Sequence, residues 1–481
     1  MITVLRGGGQ LAALAAEPRQ LLPAREQMAF TLGFHIILVP FGVALTTMML
    51  IAHYRGLRKA DAEALLLARR WSNVAAVLFA VGAITGTVLS FELGILWPGL
   101  MGNYGAAVGF PFAIEGLFFF LEAIFVSIYI YGWGRMRPWA HFWAGVPVSL
   151  ASIGGAAAVI AANSWMNQPG GITVRGGRVV EVHPAAVFFN GAFWLEFLHM
   201  LLAAYIVAGF FVAGVYAVGI RRGKHSRYHR LGFLIGFVTA AVVLPAQVLV
   251  GDTIARQVHQ DEPAKFAAIE LLPRTGSHVH ETLGGFLIGG KAQYGIPIPD
   301  LASLLAGFSP STVIKGIDAV PAPVRPTPAQ VDIVHWAFDI MVGTAGLMLL
   351  LALWFALLYW RRRDGFARSR WFMRACAVSG LVAIACLESG WVVTEVGRQP
   401  WTVVGLLLTR DAVTTRGDLW AVFGGVLALY LAVGATAVWV LRSMMRRWDL
   451  RGDGNVPVPY GPPPSDGEPA EYAGRSGGKA S

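Results

Sequence analysis

Residues 108–131 read VGFPFAIEGLFFFLEAIFVSIYIY. Two carboxylates, Glu115 and Glu122, are the only acids in this stretch, and it has no lysine, arginine or histidine. As a helix rising about 1.5 Å per residue, a run of this length covers the ~30 Å of hydrocarbon in a bilayer. No water is present there to satisfy an open backbone, so a helix is the conformation the bilayer permits. The spacing of Glu115 and Glu122 is about two helical turns, which puts both on one face with Glu122 at a different depth.

The same pattern extends in both directions. Eight further apolar runs occupy residues 28–52, 73–96, 139–163, 187–219, 229–251, 329–360, 371–395 and 417–442. The predicted fold is an all-α integral membrane protein of nine transmembrane helices. Composition agrees, because 56% of the 481 residues are hydrophobic and 14% are charged, whereas a soluble protein is about a quarter charged. A soluble enzyme and a disordered chain are both excluded. The net charge of +10 would suggest nucleic acid in a soluble protein. Here the basic residues gather in alternate loops: Arg55, Arg58, Lys59, Arg69 and Arg70 in the first, Arg135 and Arg137 in the third, Arg221, Arg222, Lys224, Arg227 and Arg230 in the fifth, and Arg361, Arg362, Arg363, Arg368 and Arg370 in the seventh. Basic loops face the cytoplasm, so the N-terminus is expected outside and the C-terminus inside, with no nucleic-acid partner.

Along the chain, residues 1–27 read as an N-terminal extension without signal-peptide features. Residues 28–251 carry helices one to six, 252–328 form an outer loop, and 329–445 carry helices seven to nine. Residues 446–481 read as a cytoplasmic tail, Pro/Gly-rich and expected to be disordered. The two cysteines, Cys376 and Cys386, lie in one apolar run and cannot meet on a helix, so no disulfide framework is expected.

Ionisable groups inside spans are costly and are functional candidates. The set is His35, Glu92, Glu115, Glu122, Glu196, His199, Asp332, His335, Asp339, Glu388 and Glu395. No lysine or arginine sits deep in any run, so ion pairing is a poor explanation, and protonated carboxyls, metal ligation or a proton path remain. The topology places His35, Glu115, His199, Met341 and Glu395 in one outer layer, with Glu122 and Glu388 deeper. A lone buried histidine or methionine is ordinarily packing, and Asp332, His335 and Asp339, on one helical face, read as a wet rim. Several such residues converging at one depth are harder to explain that way. An imidazole with a thioether is a common low-spin haem ligation, and a lone histidine or carboxylate leaves a haem position open for oxygen. Arg398, at the same boundary, can pair with acidic propionates, and the glycines of GTVLSFELG (86–94) and GRQPW (397–401) permit close approach of a flat macrocycle.

These motifs recur in order with GFHIILVP (33–40), FAIEGLFFFLEAIF (112–125), YGWGRM (131–136), NSWMNQP (163–169), FLH (197–199), KFAAIE (265–270), DIM (339–341) and ESGWVVTEVGRQPW (388–401). Over about residues 25–445 the chain resembles subunit I of the cytochrome bd-type quinol oxidases, in the short quinol-loop form. The resemblance implies that His199 and Met341 are the axial pair of a low-spin haem b. It implies that His35, Glu115 and Glu395 are ligands of two high-spin haems, a haem b and a haem d (or a further haem b). Glu122 resembles the family's proton-path carboxylate, Lys265 and Glu270 its quinol-site pair, Trp391 an electron-path residue, and Arg398 a contact of a haem propionate. The implied reaction is quinol oxidation at the outer face coupled to four-electron reduction of O2 to water. Protons would be drawn from the cytoplasm without a pump. The implied partners are quinol, O2, the lipid of a bacterial plasma membrane, a second large membrane subunit (subunit II) and small single-span subunits. Asp339 stands where some members carry arginine.

Two other classes compete. A haem-b subunit of a quinone-linked dehydrogenase has no use for Glu115 and Glu395 beside a separate histidine. A proton-coupled transporter without redox centre leaves His199 and Met341 unexplained, and no inverted repeat is visible.

Overall fold

The structure, a computed structural model, describes residues 18–175, 178–363, 365–451 and 460. Among them are nine helices long and apolar enough to cross a membrane: Leu21–Lys59, Ala62–Leu96, Pro98–Gly132, Pro138–Asn167, Phe193–Arg221, Arg227–Asp261, Pro328–Arg361, Arg370–Gly397 and Leu419–Leu450. They are called the first to ninth spans below. Most run past the expected apolar stretch, though the fifth starts at Phe193 rather than 187, and at some starts a polar cap sets the boundary. The second span starts where the Asp61 carboxylate accepts from the Ala64 N–H at 3.2 Å. The seventh starts at a capping box of Thr327 and Gln330, with Pro328 in the first turn.

The first span begins at Leu21, so residues 21–27, expected to be extension, are helical. The sixth runs to Asp261, past the expected loop boundary at 251. The ninth helix continues to Arg451. The rest of the tail reading lies outside the described residues, except Tyr460, whose hydroxyl lies 3.0 Å from His53 Nε2.

Pro40 lies inside the first span and is followed by a π turn over Phe41–Leu45. Proline offers no N–H to the helix ladder and crowds the turn before it, and a widened turn relieves both. The π turn brings Gly42 to Glu122 on the third span, where a Cβ would stand 4.0 Å from Glu122 Oε1. The fifth and sixth spans cross at glycine: a Cβ on Gly209 would lie 2.7 Å from the Gly236 carbonyl oxygen. Small residues let helix backbones approach where lipid tails offer no competing hydrophobic drive. The eighth span packs between the fifth and the seventh, and the third packs on the fourth.

Two cores result. One, toward the short loops, contains Met48, Phe210, Phe233, Phe237 and Phe372. The other, at the long-loop end, contains Leu21, Leu96, Trp97, Trp165 and Leu407. The third and ninth spans bury least. They expose Phe120, Ile124 and Ile128, and Leu431 and Trp439, which suits hydrocarbon or a partner helix.

The connections add short strands to the helical fold. Ile172–Arg175 pairs with Arg178–Val182, and Trp401–Val403 with Leu407–Leu408. The long loop has a helix, Pro263–Ile269, and then a hairpin in which Glu281–Leu283 pairs with Ile296–Ile298 and Phe286–Ile288 with Lys291–Gln293. Its tip is Gly289-Gly290 with φ of 59° and 73°, the left-handed pair a two-residue hairpin turn requires. The seventh span clamps this loop. Asp332 accepts from the Leu287 N–H at 2.7 Å, and Asp339 from the Gly284 N–H at 2.6 Å. His335, 1% exposed, faces the Ile269 and Gly284 carbonyls at 2.7 and 3.0 Å. The wet-rim expectation is therefore corrected: these three side chains spend their polarity on loop backbone that has no strand or helix partner there.

Candidate functional site

A cavity of about 960 Å³ opens among the first, second, third, fourth and eighth spans, at the upper end of the ~300–1,000 Å³ range of small-molecule sites. His35, Glu115, Glu122, Trp391, Glu395 and Arg398 all line it. The structure thus gathers six of the ten expected site residues into one space.

His35 reaches the cavity with its Nδ1 held by a hydroxyl. Its Nδ1 lies 2.8 Å from the Thr85 hydroxyl, which donates to the Val81 carbonyl oxygen at 3.0 Å. A hydroxyl has one hydrogen, so Thr85 accepts from an Nδ1–H, and the Nε2 lone pair is left free. This is the arrangement that orients a metal-binding imidazole. Gly86 flanks the ring, and a Cβ there would stand 3.1 Å from His35 Cε1.

Glu395 and Arg398 lie one turn apart and pair with each other. The expectation that span carboxylates lack basic partners is corrected for Glu395. Asn163 donates to its other oxygen at 2.8 Å. Arg398 also donates to Asn167 at 3.2 Å, and Asn167 donates to Glu196 at 3.0 Å. Arg398 is buried, and its Nε has no hydrogen-bond partner among the described residues. A buried donor left unmet invites an anionic oxygen.

Of the deeper carboxylates, Glu122 accepts from Ser152 at 2.6 Å. Ser152 can instead donate to the Val148 carbonyl, 3.1 Å away, so its hydroxyl suits Glu122 with or without a proton. Glu388 Oε1 is buried without a hydrogen-bond partner among the described residues, and Glu388 Oε2 would be 3.3 Å from a Cβ on Gly33. Glu92 differs: Gln27 and Thr31 donate to it at 2.7 and 2.5 Å, so it ties the first span to the second.

His199 and Met341 do not line the cavity. The His199 ring nitrogens lie 3.2 Å from the Gln247 amide nitrogen. Gly251 flanks the ring, where a Cβ would stand 3.4 Å from Cε1, and a Cβ on Gly390 would stand 3.2 Å from the Met341 sulfur. Trp391, next to Gly390, lines the cavity and packs against the same buried cluster as Phe197 and Met200, which flank His199 in sequence. Each of His35, His199 and Met341 therefore has a glycine where a side chain would cover it. With the open Nε2 of His35 and the unmet donor of Arg398, the residues present fit a haem.

In the long loop, Lys265 and Glu270 are 5% and 6% exposed, but they are not paired with each other. Lys265 pairs with Glu262, and the Glu270 carboxyl meets that of Glu281. Burial, with the Glu281 carboxyl beside it, holds Glu270 well above the usual carboxylate range, and burial also raises Glu281. Lys265 lies within electrostatic reach of Glu196, so a polar chain runs from the loop through Glu196, Asn167 and Arg398 to the cavity. Thr85, Ser152, Glu262 and Glu281 were not expected from sequence. The NSWMNQP motif is the one signal that marks Asn163 and Asn167, four apart at a span's end.

Two sequence relatives and a solved structure match nearly the whole chain. A cytochrome bd ubiquinol oxidase subunit 1 of Bacillus subtilis (strain 168) is 29% identical over 457 residues, covering 92% of this chain and 97% of the relative. A second protein of that organism, assigned as a cytochrome bd menaquinol oxidase subunit I, is 32% identical over 445 residues, covering 91% and 99%. The solved structure of the bd oxidase from Geobacillus thermodenitrificans superposes with a TM-score of 0.83 at 31% identity, covering 89% of this chain and 98% of that one. Nine spans among the described residues, in a family with bacterial members, make this a multi-pass protein of the bacterial plasma membrane. The family model described as cytochrome bd terminal oxidase subunit I matches residues 23–448, and with the cavity, its ligand-type side chains and the nine spans in agreement, the chain belongs to that family.

Proposed function

We propose that the protein is the haem-bearing subunit of a quinol:O2 oxidoreductase, oxidising quinol at the outer face and taking protons for water from the cytoplasm without pumping. The observation that carries this reading is the single cavity that unites His35, Glu115 and Glu395 with Arg398 above and Glu122 below. Haem bound there supplies one-electron transfer and an oxygen-reducing iron. His35, through its free Nε2, with Glu115 and Glu395, would hold two high-spin haems, a haem b and a haem d or second haem b. His199 and Met341 would hold a low-spin haem b. Arg398 would turn its unmet Nε to a propionate, and Trp391 would lie between the two haem regions.

The proton side follows from the chain's own hydroxyls. Ser152 accepts or donates at Glu122. Nearby, Ser149 lies 2.6 Å from Thr47, which lies 3.0 Å from the Tyr205 hydroxyl. Ser149 precedes Ser152 by one helical turn, on the side expected to face the cytoplasm. This supports proton entry from inside toward Glu122. Quinol would bind at Lys265 and Glu270, where the long loop and the eighth span meet. Release of its protons outside and uptake inside separates charge across the membrane. The exposed apolar faces of the third and ninth spans suit a second large subunit, with small single-span subunits beside it.

The test is O2 uptake by the purified complex with quinol as sole reductant, together with proton uptake in proteoliposomes. The reading expects both in the wild type. It expects Glu122→Ala to slow both by at least about 100-fold, the scale of a lost acid–base group. Intact turnover and proton uptake in Glu122→Ala would overturn the proton route.

A further inference from the structure

The loop clamp holds more acid than quinol binding alone requires. Glu270 ends the helix Pro263–Ile269 and is buried, and its Oε2 has no hydrogen-bond partner among the described residues. Leu271, the next residue, has φ of 50°, a left-handed conformation that strains a non-glycine residue. That backbone kink is held by the surrounding fold. Glu281 comes from the hairpin strand Glu281–Leu283 and is only partly buried. Its carboxyl lies within hydrogen-bonding reach of that of Glu270. Two carboxyls at that range form a hydrogen bond only when one of them carries a proton.

His335 fastens the two segments that bring these acids together. One ring nitrogen faces the carbonyl of Ile269, next to Glu270, and the other faces that of Gly284, three residues after Glu281. The charged or titratable groups facing the pair are Asp339 and His335 of the seventh span. The other strand of the hairpin, Ile296–Ile298, and the helix Leu301–Gly307 bring none.

We propose that Glu281 is the proton-accepting partner of Glu270: a quinol hydroxyl held at Lys265 and Glu270 loses its proton to the Glu270–Glu281 pair, and Glu281 passes it from the buried side to water. This rests on the quinol-site reading of Lys265 and Glu270. In the step, the quinol O–H bond breaks and a carboxyl O–H bond forms. One electron leaves toward O2, the oxidant of the family's reaction, and the carboxyl pair resets by losing that proton to the outer solution; a second round takes the second hydroxyl proton and the second electron and leaves the quinone. Glu270 is the contact with substrate, and Glu281 acts through it as a positioning and proton-sharing residue. A single buried carboxylate would have to release its proton back past the quinol, whereas a pair reaching the surface gives a separate exit.

The experiment compares assembled oxidase carrying Glu281→Gln, Glu281→Asp or Glu270→Gln with the wild type. O2 uptake is driven in turn by quinol and by ascorbate with tetramethyl-p-phenylenediamine, a one-electron reductant that has no hydroxyl proton to deliver. The proposal expects Glu281→Gln to lower the ratio of quinol-driven to amine-driven kcat at least about 10-fold, with KM for quinol within about 2-fold. It expects Glu281→Asp to restore most of the ratio, and the pH profile of quinol-driven kcat to move in Glu281→Gln. An unchanged ratio in Glu281→Gln, with a lowered ratio in Glu270→Gln, overturns the proposal alone. An equal loss of both activities in Glu281→Gln assigns Glu281 to loop folding and overturns it too. An unchanged ratio in Glu270→Gln overturns the quinol-site reading beneath it.

Discussion

Replacing Thr85 by valine keeps the shape of a buried, β-branched side chain and removes one oxygen. Thr85 is fully buried, and its hydroxyl holds His35 Nδ1 at 2.8 Å. Without it, the Nδ1–H faces a methyl group, and an unmet buried donor costs about 1–3 kcal/mol. The ring can escape by moving its proton to Nε2, which blocks the atom that would bind iron. Either way the ligand is weakened by an amount on the order of the 10–100-fold that second-shell losses impose on metal sites. The assay is haem retention: purified Thr85→Val is mixed with excess apo-globin, and the haem left on the oxidase is followed with time. Faster loss of one haem is expected, with Thr85→Ser near the wild type because it keeps the hydroxyl. If Thr85→Val holds its haem as the wild type does while His35→Ala loses it, the tautomer reasoning is refuted.

Three further outcomes are expected. Asp61→Asn should lower the unfolding free energy in detergent by about 1–3 kcal/mol, because Asp61 caps the second span and takes Arg227 at 2.5 and 2.8 Å. Burial favours the neutral form of Asp61, but the bonds from Arg227, Ala64 and Arg55 outweigh it and hold its pKa below the usual value. The stabilisation is therefore present above about pH 3.9 and lost as pH falls through the lower folded value, so the gap between variant and wild type should close only in acid. Glu270 and Glu281 have the opposite sign: both are raised by burial, so their contribution is full below the usual carboxylate range and is lost as pH rises through the folded values. Tryptic cleavage at Arg274 or Lys291, normalised to a free peptide, should speed up as pH rises, and Glu281→Gln should flatten that slope. Gly236→Val should cost about 1–3 kcal/mol by overpacking, since a Cβ there already lies 2.8 Å from the Gly209 carbonyl oxygen. A lowered Tm with unchanged haem content checks this.

Spans were legible in the sequence because the bilayer imposes one condition, a long apolar helix, on each of them. Not all of their ends were: the cap at Asp61 starts the second span at Ala62 rather than 73, by a local bond that hydropathy does not register, whereas the seventh and eighth spans start within one residue of the expected 329 and 371. His35, Glu115, Glu122 and Glu395 were legible because an ionisable group in hydrocarbon needs a reason. Their partners Thr85, Ser152 and Asn163 were not, since each comes from another span and a hydroxyl or amide in a helix is unremarkable by itself. The Asp332, His335 and Asp339 face was visible as a pattern and misread as a wet rim. What it binds is backbone of a loop some fifty residues away in sequence, and no periodicity carries that contact. Glu281 was hidden for the same reason, since its neighbour Glu270 is brought to it by the hairpin.

The reduced-minus-oxidised spectrum of the purified membrane complex tests the central claim most directly. The account expects the bands of a low-spin haem b together with those of high-spin haem, the latter shifting when carbon monoxide is added. A spectrum without haem bands would contradict it, and low-spin haem b alone would give the protein to the quinone-linked dehydrogenases instead.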